Sequence, residues 1–320
     1  MIRFGLIGLG QMGRHHARLL SESEEVDFVG AVDPVGDRHR VLRSGELFAD
    51  LSDLLSVGVD AAIVAVPTAL HHDIAVEFAA KGVHTLIEKP LAESVERANE
   101  IAESFSGQEV LGAVGHVERF NSALQEMKRR LDAGELGRVI SIATERVGPF
   151  PYRIQDVGVV KDLATHDIDI VTWIGGAGFA EVSGQLAHKM GRPHEDLVVA
   201  TGRLQNDVVV SMSVNWLTPV KRRAVSVLGE KGSFVADLLT SDLVFYANAE
   251  IDSEWDQLAQ MKGVSEGDMI RYAFPKREPL AVEHQAFRTA IRDGAAEGVV
   301  SLEEGVEILR IAERITGGSQ

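Results

Sequence analysis

The chain contains no cysteine among its 320 residues. That alone excludes disulfides, thiolate nucleophiles and cysteine-bound zinc, although it does not fix a redox compartment. Positive charge is scarce. Lys plus Arg number 32 against 48 Asp plus Glu, giving a formal charge of −16. No basic run is longer than Lys221-Arg222-Arg223. Nucleic acid and anionic membranes select clustered cations and are poor partners for such a surface. Long apolar runs are also missing: the longest, Ala61 to Pro67, falls far short of the ~20 residues that span a bilayer. The opening MIRFGLIGLG runs on into QMGRHH with no small-residue cleavage site and does not read as a signal peptide. A cytoplasmic location is the resulting expectation. What is present is ordinary for a globular protein, 45% hydrophobic and 25% charged. That is enough for two cores at roughly 100–200 residues per domain.

Up to about residue 115, short apolar runs alternate with amphipathic segments. Ile2–Ile7, Val26–Val32, Ala61–Val66, Val83–Ile87 and Val110–Val114 read as buried strands. Gln11–Ser23, Pro34–Arg43, Ala69–Lys81 and Ala92–Phe105 place apolar residues at three- and four-residue spacing, as helices do. The βαβα order predicts a parallel sheet covered by helices on both faces. Beyond residue 118 the period changes to two. Val139–Arg146, Leu197–Leu204, Val208–Trp216 and Ala224–Leu228 predict an antiparallel or mixed sheet with one covered face. Helices are expected near Phe120–Leu131, Val160–Ile174, Val282–Arg292 and Leu302–Ile315, while Leu238–Pro279 gives no clear pattern. The fold class is therefore α/β followed by α+β, with domains at 1–118 and 119–320. Val208, Val210 and Met212 are expected on the exposed face of the second sheet.

Residues 8–13 read Gly-Leu-Gly-Gln-Met-Gly, a GxGxxG between the first strand and the first helix. The hexapeptide alone is weak. Its context gives each glycine a role. Gly8 permits the turn, Gly10 admits a pyrophosphate to the backbone, and Gly13 lets the helix pack on the sheet. The second strand ends in Asp33, 20 residues beyond Gly13, where a carboxylate would bond ribose hydroxyls and repel a 2′-phosphate. NAD is thus favoured over NADP, although Arg38 and Arg40 follow closely. Asp33 before Pro34 could also be a simple cap.

The string Leu86-Ile87-Glu88-Lys89-Pro90-Leu91-Ala92, with GLGQMGRHH and Val66-Pro67-Thr68-Ala69-Leu70-His71, resembles the glucose-fructose oxidoreductase / inositol dehydrogenase / MocA family over essentially the whole chain. The resemblance implies a Rossmann domain, a C-terminal domain on an open, mostly antiparallel sheet, and an NAD-dependent dehydrogenase of CH–OH groups. It implies cofactor contacts from Gly8, Gly10, Gln11, Met12, Gly13, Asp33, Pro67, Thr68, His71, Glu88 and Lys89, with Lys89 beside the reacting carbinol and a cis bond before Pro90. It also implies oligomers, dimers or tetramers, paired through the C-terminal sheet. The stretch Lys161-Asp162-Leu163-Ala164-Thr165-His166 resembles the family's Asp-x-x-x-His motif. His166 would exchange the hydroxyl proton, and Asp162 would bind substrate or orient its neighbours. On the residues alone, Asp162 and His166 share a helix face and could be only a salt bridge, and Lys89 could be a solvated strand-end charge. Asp167 and Asp169 fall on other faces and read as caps or core contacts.

Gly115-His116-Val117-Glu118-Arg119-Phe120-Asn121 and Glu145-Arg146-Val147-Gly148-Pro149-Phe150-Pro151 look like members that oxidise UDP-N-acetylhexosamines at C3. Arg119, Asn121, Arg146 and Arg153 are candidate sugar-nucleotide contacts, because a guanidinium fork suits a diphosphate. Each arginine could equally be an interface ion pair. A free polyol or sugar is the alternative substrate, and a non-catalytic dinucleotide sensor the alternative class. No metal site is expected: His15-His16 and His71-His72 diverge, and no HExxH spacing occurs.

Overall fold

The computed structural model describes residues 1–38, 40–151, 157–249, 266–294 and 298–317. It divides into two compact units: Met1–Val117 with Leu280–Arg310, and Glu118–Pro279 with Ile311–Gln320.

The first unit is built on β1 (Ile2–Ile7), β2 (Val26–Val32), β3 (Glu46–Phe48), β4 (Ala61–Val64), β5 (His84–Glu88) and β6 (Gly112–Gly115), with α1 (Gly13–Glu22), α2 (Leu51–Ser56), α3 (His71–Ala80) and α4 (Val95–Phe105) between them. The order is β6-β5-β4-β1-β2-β3, all parallel, and Val300–Ser301 adds an antiparallel edge beside β6. All four residues of β4 are buried, as a parallel strand covered on both faces requires. Side chains start the helices: Asp50 accepts the Asp53 N–H, and Ser94 accepts the Arg97 N–H. The order reverses between β1 and β4. That switch point opens the crevice where sheets of this kind hold ligands, at the carboxyl ends of the strands.

One expected helix is not formed. Within 34–45 the described residues form turns, bends and irregular backbone. Gly36 has φ +75°, and the Asp37 carboxylate accepts the Val41 and Leu42 N–H groups. Side-chain capture of backbone donors competes with helix formation and outweighs the apolar spacing here.

The second unit carries β7 (Val139–Pro149), β8 (Phe179–Ala187), β9 (Leu197–Leu204), β10 (Val209–Asn215), β11 (Leu217–Gly229), β12 (Gly232–Asp237), β13 (Asp242–Asn248) and β14 (Glu266–Arg271), with α5 (Ser122–Asp132) and α6 (Thr165–Gly175). The order is β14-β13-β12-β11-β7-β10-β9-β8. Among the described residues only β7 and β10 of this sheet pair in parallel. The expected face assignment is corrected: Val208, Val210 and Met212 are buried, at 3%, 0% and 1% exposure. Their strand alternates with Ser211 and Ser213, and the apolar set faces the core. The opposite face carries Val199, Val209 and Leu228 among polar residues, and each of the three is more than 40% exposed. Because the side-chain period is two, an error of one position inverts the whole face.

Two helices close the chain, α7 (Pro279–Asp293) and α8 (Leu302–Ile315). They correct the expected single division at residue 118. From Leu280 the chain returns to the first unit, where Phe287 lies edge-on to Phe4, ring centroids 6.3 Å apart, inside the core of Phe4, Leu6, Phe28, Ile63 and Leu86. Burial of a Phe of this kind stabilises by roughly 1.5–3 kcal/mol. The patterning of 282–292 predicts a helix and is silent about its partner.

Candidate active site

Close packing at the end of β1 makes the glycine requirement of the first motif explicit. Gly8 has φ +96°, and a Cβ there would lie 2.5 Å from the Ala65 carbonyl oxygen. A Cβ on Gly13 would lie 2.0 Å from the Gly8 carbonyl oxygen. Gly10 is different, being exposed with no heavy atom within 4 Å of where a Cβ would stand. α1 then begins at Met12 with no side-chain cap and no acidic residue in its first turn, so its positive end is uncompensated. Gln11 is exposed beside it. Asp33 Oδ2 accepts the Leu9 N–H at 2.8 Å, and Oδ1 accepts the Val35 N–H at 2.9 Å. No helix follows among the described residues for Asp33 to cap; each of its oxygens is fixed by one amide and retains lone pairs. An open glycine, an uncapped helix start and a fixed carboxylate fit a dinucleotide.

β5 delivers the Glu88-Lys89-Pro90 turn to the same crevice, and the Lys89–Pro90 peptide is cis, as expected. His71, at the start of α3 and 1% exposed, bridges two strand ends. Its Nδ1 lies 3.0 Å from the Pro90 carbonyl oxygen and its Nε2 3.0 Å from that of Val66. A neutral ring donates to one of these at a time. Burial pushes the imidazole pKa down, with the two carbonyl contacts acting the other way. Pro67 and Thr68 enter a short 3₁₀ turn between Val66 and His71. Glu88 is buried, its carboxylate packed over Gly115 and hydrogen-bonded to His16. Lys89 is half-buried.

In the second unit, Val160–Ala164 forms a π-helical turn running directly into α6, so Asp162 and His166 sit on consecutive turns of one continuous helical segment. Such turns cluster at functional sites. The segment is pinned from outside: Glu195 Oε1 accepts the Val160 N–H at 2.9 Å and its main-chain oxygen accepts the Val159 N–H. A Cβ on Gly158 would strike that carboxylate at 2.0 Å. His166 is 8% exposed and Asp162 half-buried.

The candidate sugar-nucleotide residues have structural partners. Arg146, 1% exposed on β7, donates from Nε to Asp167 at 3.0 Å and from Nη1 to Glu118 at 2.8 Å. Arg223 also donates to Glu118. The Arg146 Nη2 is buried without a hydrogen-bond partner among the described residues. Burial works against the Arg146 charge, but Asp167 and Glu118 reverse this and raise its pKa. Burial likewise opposes ionisation of Glu118, and Arg146 with Arg223 holds it below the usual carboxylate range. Arg119 pairs with Asp169 and lies 5.7 Å from the centroid of the Trp173 ring. Asn121 caps α5 through the Ala123 N–H and donates to the Leu238 carbonyl. Arg153 lies outside the described residues. Asp167 and Asp169 are core contacts, one of the readings their helix faces allowed.

Sequence reasoning passes over His284 and Glu195, and names His16 only to set it aside as a metal ligand. A buried histidine or glutamate whose partner lies dozens of residues away leaves no local pattern. Among the described residues no group of three or more His, Asp or Glu side chains could hold a metal, and no helix is long and apolar enough to cross a membrane.

Two family profiles match the chain: an oxidoreductase family with an NAD-binding Rossmann fold over residues 2–116, and a GFO/IDH/MocA C-terminal domain over 124–235. The chain belongs to the GFO/IDH/MocA family. As a member it is an NAD-dependent oxidoreductase. Scyllo-inositol 2-dehydrogenase (NAD(+)) of Bacillus subtilis is 31% identical over 193 residues, 57% of this chain and 56% of that enzyme. The chain thus matches little more than half the length of that relative. UDP-N-acetylglucosamine 3-dehydrogenase of Acidithiobacillus ferrooxidans is 27% identical over 297 residues, 91% of this chain and 88% of that enzyme. Its solved structure has a TM-score of 0.85 at 25% identity, covering 99% and 97% of the two chains. Levoglucosan dehydrogenase in complex with NADH shares the fold, with a TM-score of 0.84 at 19% identity over 99% of this chain and 96% of that one.

Proposed function

We propose that the protein oxidises a secondary alcohol of a sugar, most specifically C3 of a UDP-N-acetylhexosamine, with Lys89 and His166 acting on one hydroxyl. The supporting observation is the Glu88-Lys89-Pro90 turn built into the dinucleotide crevice, with His71 and His16 holding it from either side. NAD supplies the hydride acceptor when bound. Gly10, the uncapped start of α1 and Asp33 would hold its pyrophosphate and ribose. The protein itself manages the proton. As hydride leaves the carbon, negative charge grows on the hydroxyl oxygen. The His166 imidazole takes its proton, and the Lys89 ammonium stabilises the charge. Asp162, one turn before His166, orients the hydroxyl or the ring.

The UDP-sugar reading is supported by likeness along almost the whole chain, 91% against 57% for the inositol enzyme. It does not draw on Arg119 or Arg146, whose guanidinium groups are paired with Asp169, Asp167 and Glu118. That engagement is the observation favouring the second reading, a free polyol. NADH formation read by absorbance with UDP-GlcNAc, myo-inositol and glucose separates the two: turnover with UDP-GlcNAc is expected, and turnover with polyols alone would replace this reading with the second. We also propose a cytoplasmic enzyme, paired with a second copy through the sheet face bearing Val199, Val209 and Leu228.

A further inference from the structure

Lys221-Arg222-Arg223 is a run of cations on β11 that the proposed chemistry leaves unused. A bulge sets its direction. Leu217 pairs with Pro149 and Arg222 with Val147, so β11 advances five residues where β7 advances two. Bulges of this kind re-aim side chains. Asn215 pins the start of this one, its Oδ1 accepting the Leu217 and Thr218 N–H groups and the Thr218 hydroxyl. Beyond the bulge Arg223 stands directly opposite Arg146, and so on the same face of the sheet. A Cβ on Gly148, two residues along β7, would share that face and lie 3.6 Å from Lys221 Cγ. Lys221 and Arg223 therefore join Arg146 on the side covered by α6, whose Asp167 accepts from Arg146. Arg222 belongs to the other side, exposed, with Nη1 3.5 Å from Glu145 Oε1.

Like charges directly opposite one another destabilise a sheet, so the two arginines need counter-charge. One Glu118 oxygen accepts from both at 2.8 Å, Asp167 takes the Arg146 Nε, and the Asp162 charge also reaches Arg223. Lys221 is different: it has no hydrogen bond or ion pair among the described residues. Repulsion by Arg223 is the largest influence on its ammonium and lowers its pKa, with burial and Arg146 adding to the effect and Glu118 opposing it. Arg146 Nη2 remains a buried donor without a partner among the described residues. This side of the sheet is thus short of an anion. We infer that Lys221 and Arg223 form an anion subsite on the α6 side of the second sheet, taking a phosphate or carboxylate group carried by the sugar substrate. Its oxygens would accept from both cations and relieve their repulsion. The inference rests on the proposed oxidation of a sugar alcohol and narrows its substrates to anionic sugar derivatives, since a neutral polyol offers the pair no charge.

Titration calorimetry on the protein saturated with NADH, which fills the dinucleotide cradle, measures binding of UDP and of glucuronate, a diphosphate and a carboxylate probe. At least one should bind. Lys221→Ala and Arg223→Gln should each weaken that binding by roughly tenfold or more, the scale of a hydrogen bond to a charged group. Arg222→Gln removes the same charge from the opposite face and should leave Kd within about twofold, as loss of an exposed charge does. Bound probe should also protect Lys221 from trace acetic anhydride, read against the exposed Lys81 by peptide mass spectrometry. Arg223→Gln takes a partner from Glu118; should that variant lose its native near-ultraviolet circular dichroism, Lys221→Ala, at an exposed position, decides. Binding of UDP that depends on Lys221 supports the subsite with a nucleotide sugar, and binding of glucuronate alone supports it with a sugar acid. Binding of neither probe, binding unchanged in Lys221→Ala, or an equal loss in Arg222→Gln overturns the inference. Absence of turnover on every sugar would sink the proposed function while leaving the binding result standing.

Discussion

A guanidinium buried as deeply as Arg146 is stable only with counter-charges, and Asp167 and Glu118 provide them. Removing one member of such a set strands the others in a poorly solvated place, which typically costs about 3–5 kcal/mol. Arg146→Met should therefore lower stability by that order in urea titrations, and pairing it with Asp167→Leu should recover part of the loss. A loss under about 1 kcal/mol would show that water reaches the site. In the sequence, Arg119 and Arg146 are indistinguishable from diphosphate ligands. An arginine fork reads the same whether it meets a phosphate or a carboxylate, and the carboxylates, Asp167 and Asp169, stand in a different motif. Lys89 and Asp33 are legible for the opposite reason, since short strings around each fix the element that carries it.

At the scale of elements, the π turn before α6 is held by Glu195, which leaves no room for a side chain at residue 158. Gly158→Ala should displace the turn and cut kcat by roughly the 10²-fold associated with small misplacements of catalytic groups. NAD affinity, measured by titration calorimetry, should stay within about twofold, because the cofactor cradle belongs to the other unit. Equal losses in both would show that the substitution unfolds the protein instead. β1 and β2, read as apolar runs, and β9, read from its alternation, match the sequence reading to the residue. β8, β12, β13 and β14 escape it, because their burial depends on neighbours in the sheet rather than on their own alternation. The segment after Asp33 reads as a helix because apolar spacing ignores what the Asp37 carboxylate can capture.

For the molecule as a whole, pH should act unevenly. His71, His84 and His284 all belong to the first unit, and burial lowers the pKa of each. In the unfolded chain these rings take a proton near pH ~6.5, while in the folded unit they resist it. The unfolded state therefore binds more protons below that pH, and stability falls as pH falls. Urea midpoints followed by a probe in the first unit should drop between pH ~7.5 and ~5.5 and stay flat above ~7.5. A midpoint that rises on acidification would mean that the buried rings are charged in the native state.

The central proposal is that the Lys89 amine and the His166 imidazole act on the same hydroxyl. A double-mutant cycle measures this: kcat of wild type, Lys89→Ala, His166→Ala and the double variant on the best sugar substrate. Each single change should lower kcat by roughly 10²–10⁴. If both groups serve one proton transfer, the double variant should be little worse than the poorer single one. A double variant whose loss is the full product of the two would show independent roles, and near-wild-type turnover in both single variants would remove Lys89 and His166 from the chemistry.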